Sequence, residues 1–393
     1  MKTLAAIATV ALLSCTASNP PPASATPTAS PTLSNPADSK AVDFRIRLDL
    51  LLGEHVIAIA KESSAAGRDA EFNAYLHMLT SNGTDLTDLV RSALGDTAAA
   101  RFGQIWSTQN DHLVHYTIGL VTHDKALSGS SMSSLVSTFV PQMSQFLNST
   151  AQIPVDSMEQ LLFQHVLETK AMIDDRFAQS YPRLYADVQI VYGQASLIGD
   201  ALAPRIVQKF PDKFPGDPSS RAADVRLTLN ILLQEHLYLA TMATSAATEG
   251  RGKEVAAATG ALDANAAALR ALFSGLFGDA TAAQFSQAWA AGDAALLGYA
   301  SASGASEIQT ALTQLTNVLV TQLSNFVQAA TGLSPDVSRP PIQAQVQATV
   351  TAINDQRARL FGPLATDDRA ANALIGVVAD LIAGAAIAKL QIP

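Results

Sequence analysis

Four polar residues interrupt apolar helical stripes in the first half of the chain, and their types and spacing are the ones that could do chemistry. His55, Gln109 and His165 each stand in an apolar stripe on a different predicted helix, and Gln194 flanks a fourth stripe. Buried polar groups must find partners. The four residues therefore predict either a network that satisfies itself or a small chamber that encloses a water molecule or a ligand.

Two more side chains extend this candidate site. His112 stands one helical turn beyond Gln109, and Glu168 follows His165 at i+3 on the same helical face. Imidazoles and carboxylates together suit a transition metal, and amide oxygens are weaker ligands. The other interpretation is structural, because a histidine on an apolar stripe is commonly a satisfied core residue. A di-iron bundle would need a Glu-x-x-His pair on each of two helices, and only one comparable pair is present.

Motifs of catalysis are missing from the sequence. It contains no nucleophile elbow, no phosphate-binding glycine loop, no HExxH and no dinucleotide fingerprint. The formal net charge of -9, without any run of Lys or Arg, disfavours nucleic acids as partners. We therefore expect a binding or interaction module, with an envelope protein or a small ligand as partner, rather than an enzyme.

The N-terminus predicts an exported, lipid-anchored protein. Lys2 precedes an apolar run at 4–13 that is too short for a permanent membrane span. The run ends in Leu-Leu-Ser-Cys, which resembles the bacterial lipobox, so Cys15 is expected to carry acyl chains and to begin the mature protein. The alternative is a plain secretory peptide. Because Cys15 is the only cysteine, no internal disulfide can form.

A tether of low complexity follows the predicted signal peptide, which covers 1–14. Residues 15–40 are mostly Pro, Ser, Thr, Ala and Asn, a composition that cannot bury a core. The segment predicts a disordered spacer between an extracytoplasmic membrane surface and the folded part. The acyl chains would be the only membrane attachment.

The rest of the chain is an internal repeat of about 181 residues. The sequence RIRLDLLLGEH at 45–55 returns as RLTLNILLQEH at 226–236, and the two tryptophans, Trp106 and Trp289, are equivalent. The first repeat is placed at 41–215 and the second repeat at 220–391. Their apolar spacing is helical throughout. It predicts an all-α protein made of two tandem up-and-down bundles of about six helices each.

Several motifs resemble a family of poorly characterised bacterial extracytoplasmic proteins, some of which carry a copper amine oxidase N-terminal-type domain beside the helical repeat. The resemblance covers nearly all of the first repeat and the first half of the second. The motifs are LLxEH at 51–55, Asn82-x-x-x-Leu86, Phe102-x-x-x-Trp106, Tyr116-Thr117, His165-Val166 and FPDKF at 210–214.

The resemblance implies histidines at four places, which correspond here to His55, Gln109, His165 and Gln194. In the second repeat, the matching residues are His236, Gly292, Gln345 and Leu374. If the family binds a metal or haem through these histidines, the first repeat keeps part of the site, with His112 as a substitute ligand, and the second repeat has lost it. A metal- or haem-binding bundle is therefore the alternative to a cofactor-free binding module.

Two structural expectations accompany these hypotheses. Trp106 and Trp289 lie on apolar stripes and are expected to be packing residues. Arg45 is expected to pair locally with Asp49, which stands at i+4.

Overall fold

Residues at equivalent positions of the two repeats cap the start of the first helix and separate the second helix from the third. The hydroxyl of Ser39 accepts a hydrogen bond from the backbone N–H of Val42 at 3.3 Å, and Ser220 accepts one from Ala223 at 3.1 Å. Each serine thereby satisfies a free N–H group at a helix start. The second and third helices of each repeat are separated by a glycine with positive φ, Gly95 or Gly278. The sequence repeat is thus accompanied by a repeat of local structure.

The computed structural model describes residues 37–393, which form an all-α fold, as the periodicity predicts. The predicted signal peptide, Cys15 and most of the tether lie outside the described residues. The helices of the first repeat are α1 (Lys40–Ala65), α2 (Asp69–Leu94), α3 (Asp96–Val121), α4 (Lys125–Ser134, Leu135–Phe139 and Val140–Ala151), α5 (Val155–Phe177) and α6 (Tyr181–Lys209). Those of the second are α7 (Arg221–Thr248), α8 (Gly252–Phe277), α9 (Asp279–Ser301), α10 (Ala305–Thr316, Asn317–Gln322 and Leu323–Thr331), α11 (Pro335–Ala358) and α12 (Phe361–Leu390).

A π-helical stretch interrupts the fourth helix of each repeat. It covers Leu135–Phe139 in α4 and Asn317–Gln322 in α10. Such insertions are rare in helices. Their occurrence in the same helix of both repeats means that the two bundles share a backbone irregularity as well as a helix order.

The first helix of each repeat lies at the centre of the molecule. Most residues of α1 and α7 are buried, and these two helices pack against each other. Contacts between the repeats also run from α2 to α12 and from α6 to α8, which are reciprocal pairs of elements. One continuous apolar core extends through both bundles. Residues 37–393 therefore form one compact body in which the contacts between the two halves are reciprocal.

Helix α12 is long and apolar enough to cross a membrane by length and composition alone. It packs against α2, α7 and α11, and it carries three charged side chains that form ion pairs with other helices. These residues are Asp368, Arg369 and Asp380. In the described fold, α12 is a core helix of the bundle.

The expected pair between Arg45 and Asp49 is wrong. Arg45 instead donates hydrogen bonds to Asp200 at 2.9 Å and to Asp224 at 2.7 Å. The carboxyl oxygens of Asp49 are buried without a hydrogen-bond partner among residues 37–393, and desolvation raises the pKa of Asp49 well above its usual value. Asp49 packs tightly on Gly199, whereas the longer Arg45 side chain crosses to the second repeat.

Candidate functional site

His55 lies at the centre of the first bundle, on α1. Its side chain is 1% exposed, and its ring centroid is 4.6 Å from that of Trp106 on α3. Neither ring nitrogen has a hydrogen-bond partner among the described residues. Desolvation, with a smaller repulsion from His165, lowers the pKa of His55 to about 3. The imidazole is therefore neutral at physiological pH and offers one lone pair.

His165 on α5 is the second buried imidazole of this region. Desolvation lowers its pKa to about 4, and the nearby side chain of Gln194 opposes that shift, although no hydrogen bond of normal geometry joins the two residues. Its Nδ1 has no hydrogen-bond partner in the part of the chain that the structure describes. A charge on His165 lowers the pKa of His55, so these two predicted site residues lie close enough to interact electrostatically.

Two buried glutamine side chains of the first bundle also carry unpaired oxygens. Gln194 on α6 donates its Nε2 hydrogen to the Leu161 carbonyl at 3.2 Å, which leaves its Oε1 without a partner among residues 37–393. Gln109 follows Trp106 by one turn of α3, and its Oε1 is likewise buried and unpaired within the described chain. The amide oxygens are thus acceptors without donors.

We call His55, Gln109, His165 and Gln194 the polar cluster. Unpaired carbonyl oxygens and neutral imidazoles present lone pairs, so the cluster suits a cation or a group that donates hydrogen bonds. An orphaned buried polar group costs about 1–3 kcal/mol. An occupant that paired with several of them would therefore stabilise the fold.

The cavity in this part of the first bundle is small, and none of the four cluster residues lines it. An apolar cavity of about 50 Å³ lies beside Trp106 and is lined by residues such as Leu52 and Leu162. That volume accommodates a water molecule or two. A haem would need a site in the roughly 300–1,000 Å³ class, which this cavity does not reach. Among residues 37–393, no group of three His, Cys, Asp or Glu side chains is arranged to hold a metal ion, so a metal here would depend on amide oxygens.

The other two candidate residues, His112 and Glu168, are less buried than the polar cluster. His112 is partly exposed on α3, and the neighbouring charges that act on it are those of His115 and Asp111. Glu168 accepts a hydrogen bond from Gln164 at 2.8 Å, with its second oxygen buried and unpaired in the described structure. The sequence placed both residues one turn from a cluster member, but the structure gives them different surroundings.

Asn110 is a member of this region that the sequence analysis missed. Its Oδ1 is buried and has no hydrogen-bond partner within residues 37–393. The equivalent residue in the second repeat is Asp293, whose carboxylate lies 2.6 Å from the Nε2 atom of His236. Aligning the repeats on the two tryptophans would have revealed this pair of positions, because each residue stands four positions after its tryptophan.

The second repeat holds a satisfied version of the same arrangement. His236 contacts Trp289 with ring centroids 4.5 Å apart and pairs with Asp293. Gln345, which replaces the second histidine, donates to Thr349 at 2.9 Å. Gly292 leaves room for Leu319, whose Cδ2 atom would lie 2.5 Å from a Cβ atom at that position. Buried lone pairs without a partner at these four positions are therefore found in the first repeat.

Comparisons with models of protein families, with curated proteins and with solved structures found no match.

Proposed function

We propose that this protein is a lipid-anchored, extracytoplasmic binding module without catalytic activity, and that the polar cluster of the first repeat is its binding site. The observation that carries the proposal is the contrast between the repeats. His236 in the second repeat has a carboxylate partner, whereas both nitrogens of His55 lack any partner in the described chain. A bound ligand that pairs with the free nitrogens of His55 would stabilise this buried arrangement.

The occupant is a small group that donates hydrogen bonds or carries positive charge. Gln109 and Gln194 offer carbonyl oxygens, and the lowered pKa values of His55 and His165 keep both rings neutral. A neutral imidazole accepts a hydrogen bond, whereas an imidazolium repels a cation. The polar cluster is therefore arranged for a cation or a protonated amine and against an anion.

A transition-metal ion is the second candidate occupant. Neutral imidazole is the commonest protein ligand of such ions, and metal binding requires deprotonated ligands. The specific observation in its favour is the pKa of His55, about 3, which leaves this ring free of a competing proton. His55 and His165 would hold the ion, with oxygens from Gln109 and Gln194.

The proposed extracytoplasmic location and lipid anchor rest on the sequence. Cys15 follows a short apolar run, and a tether rich in proline separates it from Lys40, where α1 begins. Mass spectrometry of the mature N-terminus tests the anchor. An acylated Cys15, together with loss of the membrane fraction in Cys15→Ser, supports it, and an N-terminus without lipid contradicts it.

Elemental analysis and native mass spectrometry test the occupant, using full-length protein isolated from its native envelope without chelators. His55→Ala/His165→Ala is the informative variant, and His236→Ala is the matched control in the second repeat. A metal or a bound small molecule at one equivalent, absent from the double variant and present in the control, supports the proposal and identifies the class. A wild-type chain that carries neither, and that adds neither Zn²⁺ nor Cu⁺ nor ammonium on titration, would overturn it.

A further inference from the structure

The carboxyl group of Asp49 is buried beside the ion pairs that join the two repeats. Asp49 lies on α1, one helical turn after Arg45, and is 1% exposed. A Cβ atom on Gly199 of α6 would overlap its Oδ1 atom, so the carboxyl group packs directly on the α6 backbone. Neither carboxyl oxygen has a hydrogen-bond partner among residues 37–393. An ionised Asp49 would therefore be a buried charge to which no group donates.

Two charged side chains act on this carboxyl group. Burial is the main reason why the pKa of Asp49 is raised well above its usual value, and repulsion from Asp200 on α6 adds to it. Arg45 on α1 acts in the opposite direction and is the weaker of the two charges. Asp224 of α7 stands beyond Arg45, 2.7 Å from its guanidinium. The fold therefore favours the protonated, uncharged form of Asp49.

The second repeat carries a permanently neutral side chain at this position. Asn230 is the residue equivalent to Asp49, and its amide donates a hydrogen bond to Asp380 at 2.8 Å. Asp380 in turn pairs with Arg226. Asparagine has nearly the shape of a protonated aspartic acid, but it does not ionise. The second repeat thus builds the same kind of ion pair beside a group that cannot change its charge.

Arg45 has alternative carboxylate partners. It now binds Asp200 and Asp224, and its Nη1 donates to the Pro218 carbonyl at 2.6 Å. Asp49 stands at i+4, a spacing at which side chains of one helix are neighbours. A buried charge without a counter-ion is strongly unfavourable, and the guanidinium of Arg45 is a cation that already acts on Asp49. Ionisation of Asp49 would therefore draw Arg45 back towards its own helix.

We propose that Asp49 is a proton-operated switch of the contact between the repeats. When it is protonated, it leaves Arg45 to Asp200 and Asp224, which fastens the start of α1 to the start of α7. When Asp49 releases its proton to solvent, the carboxylate pairs with Arg45 and Asp224 is freed. The two repeats are thus held more tightly in acid than in alkali. This switch does not depend on an occupant of the polar cluster.

A double-mutant cycle in the full-length protein tests the proposal. It combines wild type, Arg45→Ala, Asp224→Ala and the double variant, and urea unfolding at pH 5, 7 and 9 gives the coupling between the two side chains. Groups that titrate elsewhere are common to the four proteins and cancel. The same cycle is repeated with Asp49→Asn, which introduces the residue that the second repeat carries. Circular dichroism establishes that each variant is folded.

The second repeat supplies the matched control. Arg226 and Asp43 are also 2.7 Å apart across the contact between the repeats, and the residue one turn after Arg226 is Asn230. A cycle on Arg226→Ala and Asp43→Ala at the same three pH values therefore measures an equivalent ion pair without an ionisable neighbour at that position.

We expect Arg45 and Asp224 to be coupled by a factor of about five in the unfolding equilibrium constant at pH 5 and by less than about two at pH 9. The coupling should stay at its pH 5 value in the Asp49→Asn background and in the control cycle. Coupling of Arg45 to Asp224 that is the same at pH 5 and pH 9 overturns the proposal. So does a loss of coupling that also occurs with Asp49→Asn or in the control.

The stability of wild type relative to Asp49→Asn is an independent readout. The folded chain holds a proton on Asp49 that the unfolded chain releases above about pH 4, so stability from this group is lost as the pH rises. The unfolding constant of wild type should rise about tenfold per pH unit relative to the variant, until Asp49 ionises in the fold. Parallel profiles from pH 5 to pH 9 would show that Asp49 titrates alike in both states and would overturn the switch.

Discussion

Arg45 and Arg226, which occupy equivalent positions, each form an ion pair with a residue of the other repeat. Arg45 binds Asp200 of its own repeat and Asp224 of the second repeat at 2.7 Å, whereas Arg226 binds Asp380 of its own repeat and Asp43 of the first, also at 2.7 Å. Each guanidinium also donates to a backbone carbonyl near the start of the other repeat. The two arginines therefore fasten one end of the contact between α1 and α7, where both helices begin.

Loss of either arginine should destabilise the contact between the repeats. We expect Arg45→Ala to lower the free energy of unfolding by about 2 kcal/mol, between the values of exposed and buried ion pairs, because the guanidinium is buried but its partners are partly exposed. Urea unfolding measures the change. Arg91→Ala, which removes an exposed pair with Asp88, is the control and should cost under about 1 kcal/mol. Equal effects of the two variants would contradict the fastening role.

Trp106 should be a large contributor to stability, as its stripe predicts. It stacks on Phe102 with centroids 5.4 Å apart and contacts His55 on its other side. We expect Trp106→Ala to cost about 3–5 kcal/mol as a core truncation, and Trp289→Ala to cost a similar amount. Denaturant titration checks both. A loss well below 1 kcal/mol at either position would contradict the burial of that indole.

Lys61 and Asp368 form a buried pair that joins α1 to α12. Their charged atoms are 2.5 Å apart, Lys61 also donates to Thr241 at 2.8 Å, and the rings of Tyr75 and Tyr238 flank the ammonium. We expect Asp368→Asn to cost about 3–5 kcal/mol, because it leaves a buried charge without its counter-ion.

The double variant Lys61→Met/Asp368→Leu is the control for that pair. It removes both charges and keeps apolar volume, so it should recover most of the stability that Asp368→Asn loses. Urea unfolding of the three proteins measures this. A double variant as unstable as the single one would show that packing at these positions, rather than the unpaired charge, causes the loss.

The neutral His165 should make stability depend on acidity. Its pKa is about 4 in the fold and near 6.5 when unfolded, so below pH 6.5 the unfolded chain binds a proton that the folded chain does not. Its contribution is complete above pH 6.5 and is lost as the pH falls towards 4. We expect wild type to lose about 2 kcal/mol more than His165→Gln between pH 7 and pH 5.

His165→Gln introduces the residue that the second repeat carries at Gln345, so a bundle of this type accommodates it. The other titrating groups are unchanged in the variant and cancel in the difference. Denaturant titrations at several pH values measure the two profiles. Parallel profiles would mean that the pKa of His165 is the same in the folded and unfolded chains, and the lowering of that pKa by burial would then be wrong.

The sequence predicted the all-α class, because apolar side chains recur at the helical period and each helix keeps that pattern locally. It also predicted that His55, Gln109, His165 and Gln194 face the interior, since each interrupts or flanks an apolar stripe. His112 and Glu168, which stand one turn from cluster members, are only partly buried. One turn along a helix also rotates the side chain, and only the neighbouring helices decide what it meets.

Helix content and the order of the two repeats were thus determined by the sequence alone, because both depend on patterns within a few turns of the chain. The partners of Arg45, Lys61 and Gln234 were decided by the tertiary structure, since they stand from 42 to 307 residues away along the chain. The contact of the Tyr192 ring with Gly53 has the same origin, because only the packing of α6 on α1 brings these two residues together.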